Sequence, residues 1–181
     1  TFLASSAVDI CGIIIAFDPV SSILRMCCLS ALDERIIACL PFASHALTIL
    51  ILGVAGFFIE FIGVKTGAIF GSYSYGNTLG LKWQGTPYLI GLNWAALIFY
   101  TSSIFAGSVK SNLGRSLLGA SIMTIYDFFM EPMAMRYDFW TWKNGIIPIQ
   151  NYIAWFLIAL IFHLILNAIA KPIRNRMAAS L

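Results

Sequence analysis

Glu60, Asn93, the pair Asp127 and Glu131, and Asn151 are polar residues placed near the ends of four long apolar stretches, where a bilayer would exclude them. Asp127 and Glu131 are four residues apart, so on a helix they share one face. Two carboxyls held that close in a low dielectric cannot both ionise cheaply, and they keep a proton between them. A protonated acid beside a carboxylate is the equipment of general acid and base catalysis. Burying Glu60 within a span costs about 2.5 to 3.5 kcal/mol on insertion scales, so such an acid has a task or a partner. The plain structural alternative pairs the acids with Arg136, Lys65 or Lys143 as locks between helices. Three acids with Asn and Gln nearby exceed what one ion pair requires.

The elements that must position them follow from hydropathy. Residues 46–62, 86–107, 116–135 and 148–170 are long enough, or nearly so, for membrane helices of about 20 residues. Composition agrees: 60% of residues are hydrophobic and 10% charged, against about 25% charge in soluble domains. If consecutive spans run antiparallel, the end of one lies level with the start of the next. Glu60 ends its span where Asn93 begins the following one, and Asp127 and Glu131 end theirs where Gln150 and Asn151 open the last. All fall at one depth near one membrane face. The fold expected is an all-α integral membrane bundle of about five or six transmembrane helices. It is read as a single membrane domain over residues 1–181, with N-terminal helices in 1–45 and a motif-bearing core in 46–170.

Within residues 1–45, Arg25, Asp33, Glu34 and Arg35 interrupt apolar runs too short to span alone, which predicts one or two further helices there. Cys11, Cys27, Cys28 and Cys39 have no metal-knuckle or redox spacing and read as packing residues. The opening apolar run lacks the basic start and cleavage pattern of a secretory signal. A net charge of +3 is too small to suggest nucleic acid as a partner. Lys171, Arg174 and Arg176 after the last span place the C-terminus in the cytoplasm by the positive-inside rule.

Gly53, Gly56, Glu60, Gly63, Gly67 and Gly71 recur every three or four residues, one stripe if the helix continues through residue 71. Such a face admits a neighbouring helix backbone or a flat ligand. All five Trp and every Tyr except Tyr100 fall in or near the loops and helix ends on the side of the acids. An ordinary interfacial belt would occupy both faces. Pro132 should end or kink its helix just after Glu131. Asp138 reads as an exposed interfacial residue, and His163, near Asn167, as a buried hydrogen-bonded one; His45, near a span boundary, says little. The chain holds no HExxH, phosphate-binding glycine loop, dinucleotide turn or nucleophile elbow. A metal site at Asp127 and Glu131 would lack histidines.

The strings FFIEFIGVKTGAIFGSYSYGNTLGLKWQGTPYLIGLNW and DFFMEPMAMRYDFWTWKNGIIPIQNYIAWF, spanning Phe57 to Phe156, closely resemble the membrane carotenoid biosynthesis family. That family includes carotenoid hydratases of bacteria and haloarchaea, among them the bisanhydrobacterioruberin and gamma-carotene hydratases. The family's pattern corresponds here to Glu60, the segment Gly63 to Gly76, Asn93, Trp94, Asp127, Glu131, Pro132 and Pro148 to Asn151, while residues 1–45 match nothing. The resemblance implies a cofactor-independent enzyme that adds water to the terminal double bond of an acyclic carotenoid end group, giving a tertiary alcohol. Its implied partners are the carotenoid, the lipid bilayer and other carotenoid biosynthesis enzymes.

Protonating such an alkene gives a tertiary cation, which calls for a desolvated acid and electron-rich aromatic faces. Asp127 or Glu131 is then the acid, Glu60 or the remaining acid the base, Asn93 and Asn151 the water holders, and Trp94, Tyr126 and Trp140 the faces for the cation. Tyr73, Tyr75, Gly63 and Gly67 complete the expected substrate-binding set. The rivals are a carotenoid cyclase, which closes a ring without water, and a transporter or carotenoid-binding subunit.

Overall fold

A computed structural model describes the chain from residue 21 to residue 169, with side chains from residue 43 onward. Contacts divide the chain into two units, residues 1–42 and 43–181. Every side-chain contact below lies within residues 43–169. The cysteines, the charged residues at 25 and 33 to 35, and the basic tail fall outside the described side chains.

The described elements are α1 (Ser21–Thr66), β1 (Tyr73–Tyr75), β2 (Lys82–Trp83), β3 (Thr86–Pro87), α2 (Leu89–Ile104), α3 (Asn112–Arg136), β4 (Trp140–Trp142), a 3-10 turn (Lys143–Gly145) and α4 (Ile149–Ile169). Two stretches, Ala43–Thr66 and Ile149–Ile169, are long and apolar enough to cross a membrane. Between them, α2 is apolar but has 16 residues, and α3 has 25 with Arg115, Asp127, Glu131 and Arg136 among them. Among the described side chains, apolar residues stand on the outer helix faces and polar ones are buried beside the hydrophobic core. Leu47, Leu50, Ile51, Val54 and Phe58 stand exposed on α1, as do Ile153, Leu157 and Ile161 on α4, while Glu60, Asp127, Glu131, Asn151 and His163 are buried. Lipid as solvent favours that inversion, because each polar group must find its partner within the protein.

Four expectations change. From residue 21 to 45 there is no separate helix, because the helix of the first strong span, Ser21–Thr66, runs through the charged positions, while residues 1–20 lie outside the described residues; charge interrupts hydropathy, not the backbone hydrogen-bond ladder. That helix ends at Thr66 rather than continuing to residue 71, and Gly67 and Gly71 lie beyond it with φ of 65° and 109°, values that glycine adopts without a Cβ clash. Pro132 does not end α3, which continues one more turn to Arg136; a single missing donor is tolerated so near a helix end. The fold is mostly helical rather than all-α, because the two long loops build short antiparallel ribbons.

One ribbon pairs Tyr73 with Trp142, Ser74 with Thr141 and Tyr75 with Trp140. The other pairs β2 with β3 across Gln84 and Gly85, both at positive φ as a tight two-residue hairpin requires. Beside the first ribbon the loops continue to zip together, with Gly76 N donating to Phe139 O at 2.9 Å and Asn77 N to the Asp138 carboxylate at 3.0 Å. A Cβ on Gly76 would lie 2.2 Å from Asp138 O. Asp138 is exposed as expected, yet it also holds a loop. Gly76→Ala should therefore lower the thermal midpoint of the detergent-purified protein, whereas Asp138→Asn, which keeps an accepting oxygen and tolerates the positive φ of this site, should leave it near wild type.

The glycine stripe faces protein. A Cβ on Gly53 would meet Ala95 Cβ and Gly91 O, both at 2.8 Å, and one on Gly56 would meet Trp94 Cγ at 2.5 Å. Close helix approach is thus the use of the first two glycines. Overpacking typically costs about 1 to 3 kcal/mol, and Gly56→Leu should reach at least that by displacing the fully buried Trp94. Fluorescence-detected chromatography after graded heating checks it; a profile like wild type would mean the stripe is not packed as described.

Toward the opposite end of the bundle, Arg115 donates to Asn167 Oδ1 at 3.2 Å, Asn112 Oδ1 at 2.6 Å and the carbonyl of Val109 at 3.1 Å. His163 is wedged between Thr101 Oγ1 at 2.8 Å and Ala159 O at 2.7 Å. Asn167, at helical spacing from His163, instead serves Arg115 and Ser116.

Candidate active site

A cavity of about 470 Å³ opens among α1, α2, α3, α4 and the first ribbon, within the usual size of a small-molecule site. Glu60, Asp127 and Glu131 line it, with Asn93, Trp94, Tyr73, Tyr75, Tyr126, Trp140 and Asn151. Two members of the expected binding set stand apart. Gly63 packs against the Phe70 ring, where a Cβ would come within 2.6 Å, and Gly67 forms a left-handed turn against Ser72. Their lack of side chains shapes the wall from behind rather than touching its contents.

Each acid is held by different neighbours. Glu60, buried near the end of α1, accepts from both ribbon tyrosines on one oxygen: Tyr73 Oη donates to Oε2, and Tyr75 Oη donates to the same atom at 3.0 Å. Trp94 Nε1, from α2, donates to Oε1 at 3.3 Å. Strand alternation produces this arrangement, because residues two apart in β1 point to one face. Burial first, and then the neighbouring Glu60 charge, push both phenols well above the usual tyrosine range, so they remain hydroxyl donors.

The same alternation works on the opposite strand. Trp140 and Trp142 donate from Nε1 to Glu131 Oε2 at 2.9 and 2.7 Å. Asn151, entering from the first turn of α4, donates from one amide nitrogen to Asp127 Oδ2 at 2.7 Å and Glu131 Oε1 at 3.2 Å. The i to i+4 spacing of the two acids on α3 is what lets a single amide span them. Among the described residues, the hydrogen-bond partners of all three acids are neutral side chains. Arg136, Lys65 and Lys143 are not among those partners, so the reading of the acids as helix-locking ion pairs loses its footing.

Counting donors separates the acids. Indole N–H groups can only donate, so Glu131 Oε2, facing two of them, has no room for a proton. Glu60 Oε2 accepts two hydroxyls, which unlike indoles can also accept, and its Oε1 faces a single indole. Asp127 has one donor, on Oδ2, and among the described residues its Oδ1 has none. Asp127 is 2% exposed and lines the cavity.

The remaining wall is aromatic and aliphatic. Trp94 stacks on Trp155 with ring centres 4.5 Å apart, Tyr73 lies 4.9 Å from Trp142, and Tyr75 meets Trp140 edge-on at 6.1 Å. Three indoles, those of Trp94, Trp140 and Trp142, give their N–H to a carboxylate. Trp142, Trp155 and Phe70 are lining residues the expected binding set omitted. The alternation in WTW, two residues beyond Trp140, carried the signal for Trp142.

Trp83 is directed elsewhere, stacked on Phe61 at 4.8 Å. Gln150, at the start of α4, ties the 68–69 backbone by donating to Ala68 O and, at 3.0 Å, to Ile69 O.

Neither a curated protein nor a solved structure matches the chain. The model of one family, described as carotenoid biosynthesis protein, matches residues 17–180; it covers the apolar helices, both ribbon strands and every acid of the cavity, and it reaches into residues 1–45, which the motifs alone left unmatched. The chain belongs to the carotenoid biosynthesis protein family.

Proposed function

We propose that the protein is a cofactor-independent carotenoid hydratase, adding water across the terminal double bond of an acyclic carotenoid end group to give a tertiary alcohol. The observation that carries this reading is Asp127 Oδ1, which has no donor among the described residues, in an aromatic cavity whose other two carboxylates each hold fixed donors on both oxygens. Asp127 delivers its proton to the terminal alkene carbon pair, and the electron pair of the π bond forms the new C–H bond. The tertiary cation left behind lies among the faces of Trp94, Trp140 and Tyr126, with tyrosine and indole rings as the attracting π systems. A water held by Asn93 and Asn151 attacks the cation and yields its proton to Glu60, from which the cluster is reset by return of a proton to Asp127. Glu131, locked by two indoles, keeps Asn151 and Asp127 in place and adds negative charge near the cation.

The setting supporting this chemistry is an integral membrane bundle, read from its apolar runs as five or six spans in one domain with the C-terminus cytoplasmic. A membrane position gives direct access to a lipid-dissolved polyene and, through carotenoid intermediates, to neighbouring biosynthetic enzymes. Producing the protein in bacteria that make lycopene tests the activity. Pigments heavier by one water per modified end are expected; unchanged lycopene, at protein levels verified in the membrane, would favour a binding or transport role.

A further inference from the structure

We propose that the substrate enters sideways from the bilayer, through the gap between α2 and α3, and that its chain lies in this gap while the end group reacts. The inference rests on the hydratase reading for the identity of the ligand, an acyclic carotenoid, and on the cavity's shape for the route. A cavity of about 470 Å³ takes a compact group and not an entire long polyene, so the rest of the chain must leave it somewhere.

On one side the wall is lined by polar tips, where the first ribbon covers Glu60 and Glu131 with the half-buried Tyr73, Tyr75 and Trp140 and the buried Trp142. On the other side the lining residues are themselves exposed. Leu89 is 47%, Leu92 63% and Tyr126 39% exposed, and Ala96 is also open to the outside. Leu89, Leu92 and Ala96 follow one another at helical spacing along α2, and Tyr126 and Met130 do so along α3. The opening is therefore a slot with an apolar rim, cut into the sides of two helices whose outer faces are apolar. Ala96 is the smallest side chain on this rim and leaves the slot its width.

Cysteine protection tests the route without needing catalysis. In a background with the four native cysteines replaced by serine, Ala96→Cys and, as a control on the outer face of α4, Ile161→Cys are exposed to a lipophilic maleimide in liposomes with and without lycopene. Lycopene should slow labelling at position 96 severalfold and leave position 161 unchanged. Equal labelling rates at both positions with and without lycopene would overturn the route. Ala96→Trp supplies the second reading: lycopene hydration should fall about a hundredfold, the scale of a substrate misplaced by about 1 Å, with the folded fraction unchanged. Full turnover in Ala96→Trp would likewise exclude the slot while leaving hydration intact. Protection of position 96 by lycopene in a protein that never hydrates it would uphold the slot and end the hydratase reading.

Discussion

Asp127→Asn is expected to lower hydration at least about a hundredfold while leaving the protein folded in the membrane. The amide is the same size, and its oxygen can still accept from Asn151, so the contact at Oδ2 survives. What it loses, in the proposed reaction, is the transferable proton at Oδ1. General acid catalysis typically contributes about 10² to 10⁴-fold, and no other acid of the cavity has an oxygen free of fixed donors to take over. The hydroxylated carotenoid formed per unit of membrane protein should fall by at least the lower of these factors. Near-normal product would remove Asp127 as the acid and return the role to Glu131 or Glu60.

Glu60→Gln is expected to be as damaging for a different reason. Tyr73 and Tyr75 both direct their hydroxyls at Oε2, and Trp94 directs its N–H at Oε1. An amide cannot accept on both sides, so whichever way it turns, its NH2 faces a group that can only donate or must rotate away. In the proposed reaction the acceptor of the water's proton disappears at the same time. Loss of about 10² to 10⁴-fold in hydration is expected from removing a general base. Tyr73→Phe makes the comparison informative: it leaves the carboxylate with two of its three donors, so hydration should survive at a reduced level, with turnover measured in the same membranes. Equal, near-complete loss in Tyr73→Phe and Glu60→Gln would show that the clamp, and not the base, limits the reaction.

The acids and their amide neighbours were legible because each sits where hydropathy should forbid it, and helix antiparallelism brings the ends of successive spans to one level. Aromatic clustering was legible for the same reason, as an imbalance between two ends of a bundle. The ribbon was not. Pairing Tyr73–Tyr75 with Trp140–Trp142 joins segments more than sixty positions apart, and nothing local in YSY or WTW names its partner. Without the ribbon, the tyrosines could be assigned to the substrate but not to Glu60, and Trp142 was passed over. The glycine stripe shows the opposite failure. Its periodicity was real through Gly63, but the same spacing continued by coincidence into Gly67 and Gly71, which serve turns of positive φ beyond the helix end. Of the two outcomes expected at Pro132, an end or a kink, the end is excluded, because a proline removes only one donor and α3 had a single turn left to run.

The origin of the product oxygen tests the central claim most directly. Membranes containing the protein are supplied with lycopene in water labelled with heavy oxygen, and the pigments are analysed by mass spectrometry beside Asp127→Asn membranes. The account predicts a tertiary alcohol carrying the heavy label from water at each modified end, formed by the wild type and not by the variant. A product of the same mass as lycopene, with a ring closed and no label gained, would contradict it.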